Sequence, residues 1–136
     1  MYHYDMDRLN WVKFFVYLTD VEKDHGPHQF IENTHKPGEI SSKILSYGYK
    51  RLDEEEINNI YDNKLIKTFT GKSGKLIVEN TKGLHRGKLP KKGYYRIMLT
   101  MSFTTSRFGS PMNKIPINNL DQNFKKYLNE NRIEFF

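Results

Sequence analysis

Trp11-Val12-Lys13-Phe14-Phe15-Val16-Tyr17-Leu18-Thr19 decides the fold. Val12, Phe14, Val16 and Leu18 alternate with Trp11, Lys13, Phe15 and Tyr17, the two-residue period of a β-strand. Both sets are largely apolar, so the strand is expected to be covered on both faces. Working outward, Asp20 to Pro27 reads as a polar turn closed by Gly26-Pro27, His28 to Glu32 as a return strand, and Asn33 to Glu39 as a loop. Leu65 to Thr70 and Lys75 to Glu79 are strand-like around Gly71-Lys72-Ser73-Gly74, which reads as a hairpin turn. Tyr94 to Thr104 forms a second long strand. There Arg96, Met98, Thr100 and Ser102 make a polar face and Ile97, Leu99, Met101 and Phe103 an apolar one.

Helices are few. Asp53-Glu54-Glu55-Glu56 opens the clearest, with Asp53 as cap, Glu56 at the capping-box position and an acidic first turn that suits the helix dipole. Ile57, Ile60 and Tyr61 give this insertion, 53–61, an apolar stripe. Phe108 to Asn118 reads as irregular, Leu120 to Asn129 as a terminal helix, and 105–136 as a C-terminal tail. Residues 1–136 form a single all-β domain with helical decoration, a barrel or sandwich.

The chain has 136 residues, a net charge of +6 and no cysteine. Its length suits one modest core, and disulfides and thiolate metal sites are excluded. No apolar run is long enough to span a membrane, and Met1-Tyr2-His3-Tyr4-Asp5 has no signal-peptide pattern. A soluble cytoplasmic protein without a membrane partner is the expectation. The lysines are scattered, which fits solvated surface charge better than a specific nucleic-acid face.

His3-Tyr4-Asp5 carries the chemistry. On a strand, positions i and i+2 point the same way, so both side chains can reach one metal ion. A second histidine, His85, completes two imidazoles and one carboxylate, a set that holds one face of Fe(II) and leaves positions open. Taken alone, His-x-Asp is a weak signal, and a lone His85 is more often simply hydrogen-bonded. Arg96 follows, able to grip a carboxylate in a bidentate fork. His25, His28 and His35 lack a further ligand nearby and make no second metal site.

Three stretches together carry a resemblance. They are His3-Tyr4-Asp5; Val16-Tyr17-Leu18-Thr19-Asp20-Val21 with Asp24-His25-Gly26-Pro27-His28 and Thr34-His35-Lys36; and Asn80-Thr81-Lys82-Gly83-Leu84-His85-Arg86-Gly87 with Pro90, Gly93 and Arg96. In order and spacing the chain resembles the phytanoyl-CoA dioxygenase-like family of Fe(II)- and 2-oxoglutarate-dependent oxygenases, from His3 to about Phe103.

The resemblance implies a double-stranded β-helix, a jelly-roll or cupin-like barrel, incomplete at its N-terminal side because relatives carry a longer segment before the His-x-Asp motif. It implies Fe(II) on His3, Asp5 and His85, 2-oxoglutarate held by Arg96 and touched by Tyr17, and O₂ as oxidant. A small-molecule substrate would be hydroxylated, with succinate and CO₂ released. Tyr17 reads equally well as a core aromatic. Gly87 stands where some relatives have a hydroxyl, which removes one co-substrate hydrogen bond. Two alternatives remain: a truncated or split-gene fragment inactive without an N-terminal partner chain or a second copy, and a non-catalytic basic binding module.

Overall fold

The computed structural model describes residues 1–6 and 11–104, together with Gln122, Asn123 and Lys126. Most of the terminal helix expected over Leu120 to Asn129, and all of Phe108 to Asn118, lie outside the described residues.

Strand β1 (Trp11–Tyr17) is the centre of one antiparallel sheet, flanked by β4 (Leu76–Glu79) and β6 (Met98–Thr104). Phe14 pairs with Val78 on one side and Met101 on the other. The second sheet has β2 (His28–Ile31) between β3 (Ile66–Phe69) and β5 (His85–Gly87), also antiparallel. The molecule is thus mostly β-sheet, as expected, and the described strands form two three-stranded sheets without closing into one hydrogen-bonded barrel.

The sheets face each other. Phe15 of β1 lies 4.7 Å, ring to ring, from His28 of β2. The Tyr17 hydroxyl donates to the Phe69 carbonyl at 2.8 Å and accepts from the His28 backbone N–H at 3.0 Å. Phe15, Tyr17, Val21 and Ile77 form the core between the sheets, with Phe69 and Met98 against it.

Two expectations change. Gly71 to Gly74 is a crossing between sheets and not a hairpin turn, because β3 pairs with β2 while β4 pairs with β1. Competing hydrogen bonds explain it: Gly71 exchanges backbone bonds with Val21, and the Gly74 N–H reaches the Tyr17 carbonyl at 2.7 Å. Asp20 pins the crossing by accepting from Ser73 N at 2.9 Å and Lys72 Nζ at 2.8 Å. The second change concerns β1. Only the Trp11, Phe15 and Tyr17 face is buried; on the opposite face Leu18, Leu76, Val78, Leu99 and Phe103 are about half exposed.

The outer face of the β3-β2-β5 sheet is covered by helices α1 (Ser42–Ser46) and α2 (Glu54–Asn58). Ile31, Ile44, Leu52, Ile57 and Leu84 are fully buried there with Tyr2 and Tyr4. The α2 capping box forms as read: Asp53 accepts from the Glu56 N–H at 2.8 Å, and Glu56 accepts from the Asp53 N–H at 3.0 Å. Helix α1 follows the Asn33 to Glu39 loop, in a stretch for which the sequence suggested no element.

Burial should outweigh capping in holding α2. Ile57→Ala is expected to cost about 2–5 kcal/mol and Asp53→Ala about 1 kcal/mol, measured by urea unfolding.

Candidate metal centre

Residues 2 to 5 run antiparallel to β5. His3 N–H donates to the His85 carbonyl at 3.0 Å, and His85 N–H donates back at 2.9 Å. Asp5 N–H continues the contact to the Thr81 carbonyl at 2.8 Å. Residues paired directly across antiparallel strands put their side chains on one face. The two imidazoles accordingly lie 4.4 Å apart, ring to ring. The two-residue period sends Tyr2 and Tyr4 into the core under the helices and turns His3 and Asp5 the other way.

One donor atom each from His3, Asp5 and His85 lies within 4.8 Å of the others. His3 Nε2 is 3.8 Å from Asp5 Oδ1, and His85 Nε2 is 3.8 Å from Asp5 Oδ2. Two ligands of one ion at about 2.1 Å can be separated by at most about 4.2 Å, so the two 3.8 Å separations from Asp5 to the histidines suit a shared ion. The donor set, two imidazoles and a carboxylate, is chemically fit for a divalent transition metal.

Each donor is prepared by its neighbours. His85 is buried, and its Nδ1–H donates to the Gly83 carbonyl at 2.9 Å, which leaves the Nε2 lone pair toward Asp5. Burial lowers the pKa of both His3 and His85, favouring neutral imidazoles able to bind metal. Burial alone would raise the Asp5 carboxyl, but hydrogen bonds from Lys13 and Thr81 and the nearby His85 hold it below the usual range. Lys13 Nζ sits 2.5 Å from Asp5 Oδ2. Thr81 is itself fixed by the Trp11 indole N–H at 2.6 Å.

Arg96 precedes β6 and is half-buried; burial lowers its pKa, partly countered by Tyr17. Its Nη1 is buried and has no hydrogen-bond partner among the described residues. The guanidinium rests against Gly87, where an added Cβ would stand 2.6 Å from Nη2. Gly87 follows His85 by two positions on β5, so both occupy the same face about 6–7 Å apart along the strand. The glycine therefore makes room for the arginine, a role the sequence reading missed when it counted only a lost hydroxyl. Tyr17 is fully buried, with its hydroxyl engaged by Phe69 and His28.

Also missed were Lys13, Thr81 and a buried pair beside His85, in which His28 Nε2 and Glu79 Oε2 are 2.8 Å apart. The inward face of β1 held the signal for Lys13, a charge amid Trp11, Phe15 and Tyr17. Thr81 stood within the quoted Asn80 to Gly87 stretch, but nothing there marked it as a hydrogen-bond partner of Asp5.

No family model and no curated protein matches the sequence. Among solved structures, apo HygX from Streptomyces hygroscopicus matches with a TM-score of 0.52 and 15% identity. The likeness is one of fold. It covers 82% of this chain and 45% of that one, so the chain spans less than half the length of HygX. Among the described residues no helix is long and apolar enough to cross a membrane.

The lowered histidine values set a pH dependence for the metal-free protein. Between those values and 6.5 the unfolded chain binds more protons than the folded one. Stability should be complete above about pH 6.5 and decline as pH falls through the lowered values. Urea midpoints at several pH values would show this, and His3→Gln/His85→Gln should flatten the slope.

Proposed function

We propose that the chain is the core of an Fe(II)- and 2-oxoglutarate-dependent dioxygenase of jelly-roll type, acting on a small molecule in the cytoplasm. The observation that carries this reading is a convergent set: three metal donors from distant parts of the chain, and beside them the Arg96 guanidinium, resting against Gly87 two positions beyond His85 with a buried Nη1 that has no partner among the described residues. In this reading His3, Asp5 and His85 hold the iron, and Arg96 holds the distal carboxylate of 2-oxoglutarate. When bound, iron with 2-oxoglutarate and O₂ supplies the oxidation of a substrate C–H bond, with succinate and CO₂ as products.

The chain's own residues do the preparation. Lys13 and Thr81 keep Asp5 anionic and fixed, so the carboxylate meets the ion without first losing a proton. His85 donates its Nδ1 proton to Gly83 and so directs Nε2 inward. Arg96 Nη1, with no partner among the described residues, is available to donate to a carboxylate. Tyr17 buttresses this end of the site from the core. The fold likeness to HygX is compatible with this arrangement and says nothing of its chemistry.

The test is formation of succinate from 2-oxoglutarate by purified protein with Fe(II), ascorbate and O₂. It is run on this chain and on any longer protein that contains it. Asp5→Asn and His85→Ala should remove both metal binding and succinate formation while the fold persists. Arg96→Met should raise the 2-oxoglutarate concentration needed by at least about tenfold, the scale of a charge-assisted hydrogen bond. Gly87→Ala should act in the same direction through Arg96 with little change in melting temperature, since the clashing atom ends a flexible side chain. A wild-type protein that binds no divalent metal and makes no succinate in either context overturns the proposal.

A further inference from the structure

Glu79 is a carboxylate buried between two histidines from the opposite sheet. Its Oε2 lies 2.8 Å from His28 Nε2, and its Oε1 lies 3.9 Å from His85 Nδ1. All three side chains are nearly inaccessible to solvent. A lone core carboxylate is costly, and a buried histidine–carboxylate pair is commonly no more stable than an apolar pair of similar size. Its location is more informative than its existence. The pair stands directly behind one of the three metal donors, and the Glu79 oxygen facing that donor has no hydrogen-bond partner among the described residues.

We propose that His28 and Glu79 form the positioning layer of the metal centre, holding His85 in the form that carries its proton on Nδ1 and offers Nε2 to the ion. The geometry gives each member a part. His28 is clamped by Phe15, 4.7 Å away, and Phe69, 6.1 Å away, so its ring cannot turn freely. Its Nε2–H donates to Glu79 Oε2 and fixes the carboxylate plane.

Glu79 Oε1 then joins the Gly83 carbonyl on the Nδ1 side of His85. The hydrogen bond to the Gly83 carbonyl and the negative charge of Glu79 3.9 Å away both disfavour a lone pair at Nδ1 and favour a proton. The other nitrogen is left unprotonated, as a metal ligand must be. Because His28 comes from β2, Glu79 from β4 and His85 from β5, this layer also couples the two sheets at the site.

The proposal rests on the metal reading, and its test separates the two. Nitrogen-15 spectra of the histidine rings in the metal-free full chain report the His85 tautomer directly. Co(II) titration reports affinity at the site. In wild type, His85 should appear as the Nδ1–H form alone. Glu79→Gln should give a mixture of tautomers and weaken Co(II) binding by about 10–100-fold, the effect typical of removing an outer partner of a ligand.

The double variant His28→Phe/Glu79→Leu guards against a folding artefact, since it replaces the pair by apolar groups of similar bulk. It should fold with a melting temperature near wild type and show the same loss of tautomer purity and affinity. Wild-type tautomer and wild-type Co(II) affinity in either folded variant would overturn the proposal, leaving the pair a packing element only. If wild type bound no Co(II), the metal reading would fall. The ring spectra would still decide whether Glu79 governs the His85 tautomer.

Discussion

A pair of backbone hydrogen bonds, exchanged between His3 and His85, holds the site together. Neither residue could find the other through local sequence, since strands β1 to β4 and both helices intervene. Once the bridge forms, the pleat determines the rest: both imidazoles project to one side, and Asp5, two positions on, follows them. The tolerance is narrow. A slip of one residue in this pairing would send the ligands into the helix-covered core and bring Tyr2 and Tyr4 out. The apolar demand of that core thus specifies the register of the metal ligands.

Charge is concentrated between the sheets in an ordered sequence: Lys13, Asp5, His85, Glu79 and His28, each within reach of the next. Such a string of buried groups is poor value as a stabilising device, because desolvation consumes most of what attraction returns. It makes sense as a device for holding protonation states. Lys13 keeps Asp5 ionised, the Gly83 carbonyl accepts the hydrogen bond of the His85 Nδ1 proton, and burial discourages a second proton on His85. A divalent ion would enter an environment already in the protonation state it requires.

Much of this was legible in the chain. Alternation along Trp11 to Thr19 marked the central strand, and Asp53 with Glu56 marked the start of α2. His3, Asp5 and His85, each a weak signal by residue type, were joined by the order and spacing of the stretches that carry the resemblance, and the structure brings these three together. What escaped notice depended on which strand pairs with which. The run from β3 to β4 looks like a hairpin because glycines and polar residues fill the gap. It is a crossing because Val21 and Tyr17 take its backbone hydrogen bonds. Gly87 looked like a missing hydroxyl until Arg96 was seen to occupy the space beside it. Helix α1 escaped because Ser42 to Ser46 is too short for a periodic pattern to emerge.

Tyr2 and Tyr4 anchor the ligand-bearing segment in the cluster built from Ile44, Leu52 and Ile57. The free energy of seating that segment is therefore a component of any affinity measured for a metal on His3 and Asp5. A methyl group removed beneath α1 or α2, far from any donor atom, would be felt at the ion as a weaker grip. In this molecule the hydrophobic core works as a remote part of the coordination sphere, and an affinity for metal is also a reading of how well two short helices are packed.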